Sequence, residues 1–340
     1  MRQPERIYNR AVLMGDPSYF SIKAGANPHT RTRWGRRKRV DRKKAIEQWH
    51  TFSRLLCQSG VRVFVVPARP ELPGLVYPAN AGFLFPSDDS WPPAEKCFYL
   101  ANLLPARAGE QAVYEESLEK LGFRTAHLQA RFEGEADFFP VGDLHIFTHG
   151  RIETQRFRLR LGVPPYERVY GFRSETAALK ELQRIVGNRE ILPLELGNEA
   201  YYHGDTVLCS FGENRQFLLA YLEALTRSST EQLKDRLKDR LIPLDPEDAA
   251  LYAANSFPLA YQDRHYLFMP AGVSANLLAQ VREREVEPVL IDVSEFLAKG
   301  GGSVKCMLCD LGPESEEGLA AEEKAFRQER DYKNLFSEKG

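Results

Sequence analysis

The sequence predicts an α/β fold, and three observations carry that prediction. Short apolar or alternating runs of strand length recur along the whole chain. Segments with three- and four-residue apolar spacing lie between many of them. No run approaches the roughly 18 consecutive apolar residues that a membrane-crossing helix needs.

The strand-like runs are Arg10 to Met14, Val61 to Val66, Gly82 to Phe85, Leu144 to Thr148, Thr206 to Phe211, His265 to Met269, Val289 to Val293 and Val304 to Leu308. Helical spacing is read at Arg42 to Cys57, Gly109 to Leu121, Ser174 to Val186, Arg215 to Leu225 and Ser274 to Arg284. In the first helix, Ala45, Trp49, Phe52 and Leu56 form one apolar stripe, which makes Trp49 a core residue. Gly60 then stops the helix, and Val61 to Val66 runs as a strand until Pro67. Two stretches depart from this plan. Arg151 to Arg168 is rich in Arg and Pro and is read as a lid; residues 313–340 are charged and are read as a C-terminal helical tail outside a catalytic domain of residues 1–312.

The 340 residues suffice for a large core without metal or disulfide. Lys plus Arg number 46 and Asp plus Glu 47, so a net charge of -1 offers no global attraction to nucleic acid or an anionic membrane. The basic run Arg31 to Lys44 reads as a solvated loop and helix start. Five cysteines with irregular spacing fit reduced thiols in a cytoplasmic protein, and the N-terminus carries no signal-like apolar segment. The expected partner is a small molecule, and a homo-oligomer stays open.

Four segments carry chemistry. A Gly-Gly-Gly turn at 300–302 leads to Cys306, whose thiolate Lys305 would favour if it points the same way. A buried structural cysteine fits this segment as well, and Cys306 with Cys309 also forms a C-x-x-C without the context of a redox or zinc site. In YYHGDT, His203 and Asp205 alternate at a strand start and would share a face, although a solvent-facing pair fits too. In FEGEADFF, Glu133 and Asp137 flank a glycine turn among aromatics, and in VYPANAG the amide of Asn80 lies in an apolar setting. Arg107 and Arg173 are each able to take a carboxylate through paired donors, or to serve as surface ion-pair partners.

In that order the motifs VYPANAG, FEGEAD, YYHGDT and GGSVKC resemble the guanidino-group modifying enzyme superfamily, the penteins, over about residues 10 to 312. The superfamily includes arginine deiminases, dimethylarginine dimethylaminohydrolases, amidinotransferases and arginine dihydrolases. Asn27-Pro28 and the Gln48-Trp49 helix look like the dihydrolase branch. The resemblance implies five ββαβ modules around a pseudo-fivefold axis, a five-bladed propeller with the site in its centre. It also implies Cys306 as nucleophile, His203 as proton shuttle and Glu133 as its orienting carboxylate. Asp137 and Asp205 become guanidinium ligands, Asn80 and Asn27 substrate-binding residues, and Arg107 and Arg173 ligands of the substrate carboxylate. No metal or organic cofactor is required. The implied reaction is hydrolysis at the guanidinium carbon of arginine, carried twice to ornithine, ammonia and carbon dioxide, because Asn80 is a neutral amide that also accepts a ureido group. Single hydrolysis to citrulline, amidino transfer and a non-catalytic binding protein are the alternatives.

Overall fold

In a computed structural model, the described residues are 8–23, 27–32, 36–87, 91, 95–153, 156–159 and 166–336. They form five three-stranded sheets and one two-stranded sheet. Each three-stranded sheet repeats one pattern, an antiparallel pair whose central strand also has a parallel neighbour. A parallel neighbour needs a crossover, and a helix supplies it each time.

The first sheet contains β1 (Arg10–Gly15), helix α1 (Arg42–Gln58) and β2 (Val61–Val66), completed by the late strand Leu308–Pro313. The second contains β3 (Gly82–Phe85), β4 (Cys97–Leu100), α2 (Ala108–Lys120) and β5 (Arg124–His127). The third contains β6 (Phe138–Val141) and β7 (Leu144–His149). After the hairpin β8 (Arg156–Leu159) and β9 (Tyr166–Val169), it continues with α3 (Ala178–Val186) and β10 (Ile191–Glu195). The fourth comprises β11 (Leu208–Phe211), β12 (Phe217–Ala220), α4 (Arg227–Leu237) and β13 (Leu241–Pro243). After α5 (Pro246–Ala250), the fifth comprises β14 (Phe257–Tyr261), β15 (Arg264–Pro270), α6 (Ala275–Arg282) and β16 (Val286–Ile291). Then come α7 (Ser294–Gly300), the closing strand as β17, α8 (Ala321–Arg330) and α9 (Tyr332–Phe336).

The stripe read in α1 is the buried one: Ala45, Trp49, Phe52 and Leu56 pack with Val61, Val63 and Val65 in one core cluster. Asp41 caps the helix by accepting from the Lys44 N–H, and the basic residues 42–44 of its first turn are exposed. Residues 33–35 of the basic run lie outside the described residues.

Two elements differ from the sequence reading. Arg215 to Leu225 is not a helix; Phe217–Ala220 is a central strand, antiparallel to β11 and parallel to β13. Its apolar residues fit either period, and burial between two neighbours decides for the strand. Val304 to Leu308 is not a strand either, since Lys305–Met307 is a 3-10 turn and β17 starts at Leu308.

The 151–168 excursion forms the β8–β9 hairpin, with 154–155 and 160–165 outside the described residues. The C-terminal segment is tied down more tightly than its composition suggests. Arg62, inside the buried strand β2, pairs with Glu314 at 2.7 Å, Glu316 at 2.6 Å and Asp331 at 2.9 Å. Arg327 of α8 is only 1% exposed, and its Nε donates to the carbonyl of Leu121. A buried arginine needs such partners, which lie in this segment. Among the described residues no helix is long and apolar enough to cross a membrane.

Candidate active site

In four of the five sheets, the edge strand of the antiparallel pair follows a 3-10 turn. Pro78–Asn80 precedes β3, Gly134–Ala136 precedes β6, Gly204–Thr206 precedes β11, and Lys305–Met307 precedes β17. The fifth edge strand, β14, follows a turn over residues 251–256. The 3-10 turns touch in sequence, the Cys306 turn on the Asn80 turn, that on the Glu133 turn, and that on the His203 turn. Residues more than 200 positions apart thereby converge.

Asn27, Asn80, Arg107, Glu133, Arg173, His203 and Cys306 line one cavity of about 190 Å³. Glu133 and His203 are buried, and Nε2 of His203 lies 2.8 Å from Oε2 of Glu133. Burial works against both charges. For Glu133, the hydrogen bond and charge of His203 outweigh it and hold the carboxyl at about 2. For His203, Asp137, Glu133 and Asp205 outweigh it and raise the imidazole above its ordinary value. Both shifts favour the imidazolium–carboxylate form of the pair.

Cys306 is 4% exposed. Its Sγ donates to Oδ2 of Asp205 at 3.4 Å. Burial pushes the thiol well above its usual value, and the Asp205 carboxylate adds to the rise. The glycine turn serves this placement. Gly301 ends α7 in the left-handed region at φ +77°, and a Cβ on Gly302 would meet the Tyr77 ring at 2.5 Å. Lys305 does not face the thiol; its Nζ pairs with Oε2 of Glu135 at 2.6 Å, and it lines a different cavity of about 60 Å³ with Arg10, Asp205, Arg215 and Asp310.

Other expected site residues are used differently. Asp137 does not line the larger cavity. Its Oδ1 accepts from Thr148 Oγ1 at 2.6 Å and the Gly204 N–H at 2.8 Å, and its Oδ2 from Ser174 Oγ at 2.6 Å. A carboxylate with three protein donors fixes the His203 turn and has little left for a ligand. His203 and Asp205 do not share a strand face: His203 precedes the 3-10 turn, Asp205 lies within it, and they border different cavities. Oδ1 of Asp205 is buried without a hydrogen-bond partner, and burial raises this carboxyl to about 6.

Arg107 lines the cavity, but its guanidinium is already engaged. Nη1 donates to Asn80 Oδ1 at 2.6 Å, Nη2 to Glu110 at 2.6 Å and Nε to Glu110 at 3.0 Å. Arg173 donates to the Gly171 carbonyl at 3.1 Å and stacks over Tyr202, 5.0 Å from its centroid. Asn27 donates to Gly300 O at 2.8 Å and Tyr202 Oη at 3.1 Å, and Tyr202 in turn donates to Gly301 O at 2.7 Å. These bonds brace the glycine turn from the cavity side. Glu110, Tyr202 and Asn255 were not singled out from the sequence, and no local pattern marks them. None of the five cysteines is placed in a disulfide; Cys309 is fully buried in β17.

A family model described as N,N dimethylarginine dimethylhydrolase, eukaryotic, matches residues 169–312. Together with the relatives and folds that follow, it supports a likeness to the guanidino-group modifying, or pentein, superfamily. The N(G),N(G)-dimethylarginine dimethylaminohydrolase of Mycobacterium tuberculosis is 28% identical over 305 residues, which is 89% of this chain and 86% of that protein. The bifunctional arginine dihydrolase/ornithine cyclodeaminase ArgZ of Synechocystis is 25% identical over 87% of this chain but only 37% of its own length. The substrate-bound N-terminal domain of ArgZ has the same fold, with a TM-score of 0.73 at 22% identity, covering 89% of this chain and 98% of that one.

Proposed function

We propose that this protein is a cysteine hydrolase acting on the guanidinium carbon of arginine or a close derivative. The observation that carries the reading is the convergence of Cys306 with the hydrogen-bonded His203–Glu133 pair on one cavity, and of Asp205 against the sulfur. We also read the five sheets with their inward turns as a five-bladed pentein propeller, with residues 1–312 as its catalytic domain.

A guanidinium carbon is a poor electrophile until carboxylates fix the cation in a water-poor pocket. Cys306 rests as a thiol, and one buried oxygen of Asp205 has no hydrogen-bond partner. A bound cation offsets the negative field of Asp205 and lowers the energetic penalty on the thiolate. The thiol proton leaves to water as the cation binds, Sγ adds to the carbon, and the sulfur takes a proton back when the C–S bond later breaks. His203, held through Nε2 by Glu133, protonates the departing amine as the C–N bond breaks. Water attacks the resulting thiouronium with His203 as base, the C–S bond breaks, and a ureido product leaves. Asn80 places a neutral amide beside this chemistry, which supports a second round on the ureido group and hence ornithine, ammonia and carbon dioxide. A dimethylargininase stopping at citrulline is the second reading, favoured by the family model and the mycobacterial relative.

Mass-spectrometric product analysis after incubation with arginine, dimethylarginine, citrulline and agmatine tests both, with Cys306→Ser as control. Ornithine with about two ammonia per arginine identifies the dihydrolase, and citrulline with dimethylamine from dimethylarginine the dimethylargininase. Wild type indistinguishable from Cys306→Ser on all four compounds would overturn the proposal.

A further inference from the structure

Four of the five edge strands are preceded by turns that carry residues already placed in the site. The fifth, the turn before β14, carries Asn255, a fully buried amide with 0% exposure. We infer that Asn255 is the fifth module's contribution to the site, a residue that aims the Cys306 sulfur and donates a hydrogen bond to its thiolate. The inference deepens the hydrolase reading, since it rests on Cys306 being the nucleophile.

The geometry fixes which end of the amide does what. Oδ1 accepts from two backbone N–H groups, Ser303 at 3.0 Å and Cys306 at 3.1 Å. An oxygen must face those donors, so the NH2 end must face the other way. There Nδ2 lies 3.1 Å from Sγ of Cys306 and 3.2 Å from the carbonyl of Asp205. The Asn255 carbonyl also accepts from the Lys305 N–H at 3.1 Å. One residue thus holds the nucleophile's turn from both its backbone and its side chain, and ties that turn to the one bearing Asp205.

The platform beneath it is hydrogen-bonded on several sides. The Asn255 N–H donates to Tyr252 O at 2.8 Å, and Ala253 N–H to Asp248 O at 3.0 Å. Asp248 holds Ser274 by both N–H and hydroxyl at 2.7 Å. A neutral amide suits the place, because a buried donor to sulfur favours the thiolate without adding a charge to be desolvated.

The sulfur's other titratable neighbours are Asp205, the phenols of Tyr77, Tyr202 and Tyr252, and across the cavity His203 with Glu133. Arg107 and Arg173 lie on the same cavity wall. Asp205 disfavours the thiolate, whereas Asn255 and the Ser303 N–H favour it. Asn255 is therefore the neutral counterweight to the carboxylate that the substrate cation needs.

Asn255→Asp tests this in the full chain, because it keeps an acceptor for both N–H groups and replaces the donor to sulfur by a like charge. The readout is the rate of Cys306 alkylation by iodoacetamide against pH, followed by peptide mass spectrometry, which requires no guanidine turnover. The midpoint should move up by about one pH unit or more, with alkylation at neutral pH slowed about tenfold or more. On the substrate found in the product assay, kcat should fall by about a hundredfold with KM within a few-fold. Asn255→Ser, too short to span both sets of partners, should shift the alkylation profile in the same direction and serves if the aspartate variant does not fold. An unchanged alkylation profile in a folded variant would overturn the inference. If no guanidine is turned over but the profile still shifts, the reaction assigned is wrong and the role of Asn255 stands.

Discussion

Asp205 and Asp310 are both buried aspartates bordering the same small cavity, yet they are built in opposite ways. Asp310 accepts from Arg10 Nε at 2.7 Å and Nη2 at 2.8 Å, from Arg215 at 3.0 Å and from the Gly312 N–H at 3.0 Å. Burial opposes its charge, but Arg10 and Arg215 hold its carboxyl well below the usual range. Asp205 has a weak thiol donor on one oxygen and no partner on the other, and burial lifts it to about 6. A buried carboxylate with its cations supplied is architecture. One whose Oδ1 has no hydrogen-bond partner can take a further donor, and in the proposed reaction the substrate brings it.

The largest effect should come from Asp205→Asn. With the negative end of the cation site gone, kcat/KM should fall by about a thousandfold or more. Stability should move the other way. A carboxyl raised to about 6 from its ordinary 3.8 penalises the fold as pH rises through 6, whereas below 3.8 the penalty vanishes. The variant should therefore melt higher than wild type at pH 8, by an amount on the order of 2 kcal/mol, and the gain should shrink by pH 5. Calorimetry at the two pH values checks this; a variant that melts lower at pH 8 would show that Asp205 is already adequately paired.

Asp310→Asn should invert that result. It leaves Arg10 and Arg215 around a neutral amide in a buried place, a loss of about 3 kcal/mol on the usual scale for breaking a buried pair. Since the folded carboxyl sits below its ordinary value, the wild-type advantage should be complete above about pH 4 and close as the pH falls further. Activity per folded molecule should change less than tenfold. Denaturant titrations at pH 7 and 3, paired with a rate measurement, separate the two aspartates; equal losses of activity would erase the distinction drawn between them.

That distinction was only half legible in the sequence. The motifs around Asn80, Glu133, His203 and Cys306 stood out because each couples a polar residue to a local turn, and turns have local signatures. What lay beyond them depended on contacts across the chain. The resemblance gave Asp137 and Asp205 the same role as guanidinium ligands, and only the placement of Ser174, Thr148 and Gly204 separates the occupied one from the other. The direction of Lys305 followed from a 3-10 turn where apolar character suggested a strand. Asn255 reads as one polar residue in an alanine-rich turn, and its partners lie about fifty positions away in either direction. The strands showed a similar split. Val61–Val66 announced itself by continuous burial, whereas Phe217–Ala220 was masked because its apolar spacing also suits a helix.

The smallest expected effect sharpens the comparison by holding geometry constant and changing only the surroundings. Arg236 meets Glu190 at 2.7 Å, the same separation as Arg10 and Asp310, but the side chains are 35% and 50% exposed against 12% and 9%. Water screens the outer pair, and each long side chain gives up rotamer freedom to form it. Arg236→Ala should therefore shift the unfolding free energy by less than about 1 kcal/mol, and by less still in high salt. Arg10→Ala, which strips the principal cation from Asp310, should cost several times more and respond little to salt. If the two variants lost equal stability, contact distance rather than burial would govern these pairs. The contrast between a satisfied Asp310 and an unsatisfied Asp205 would then lose its physical basis.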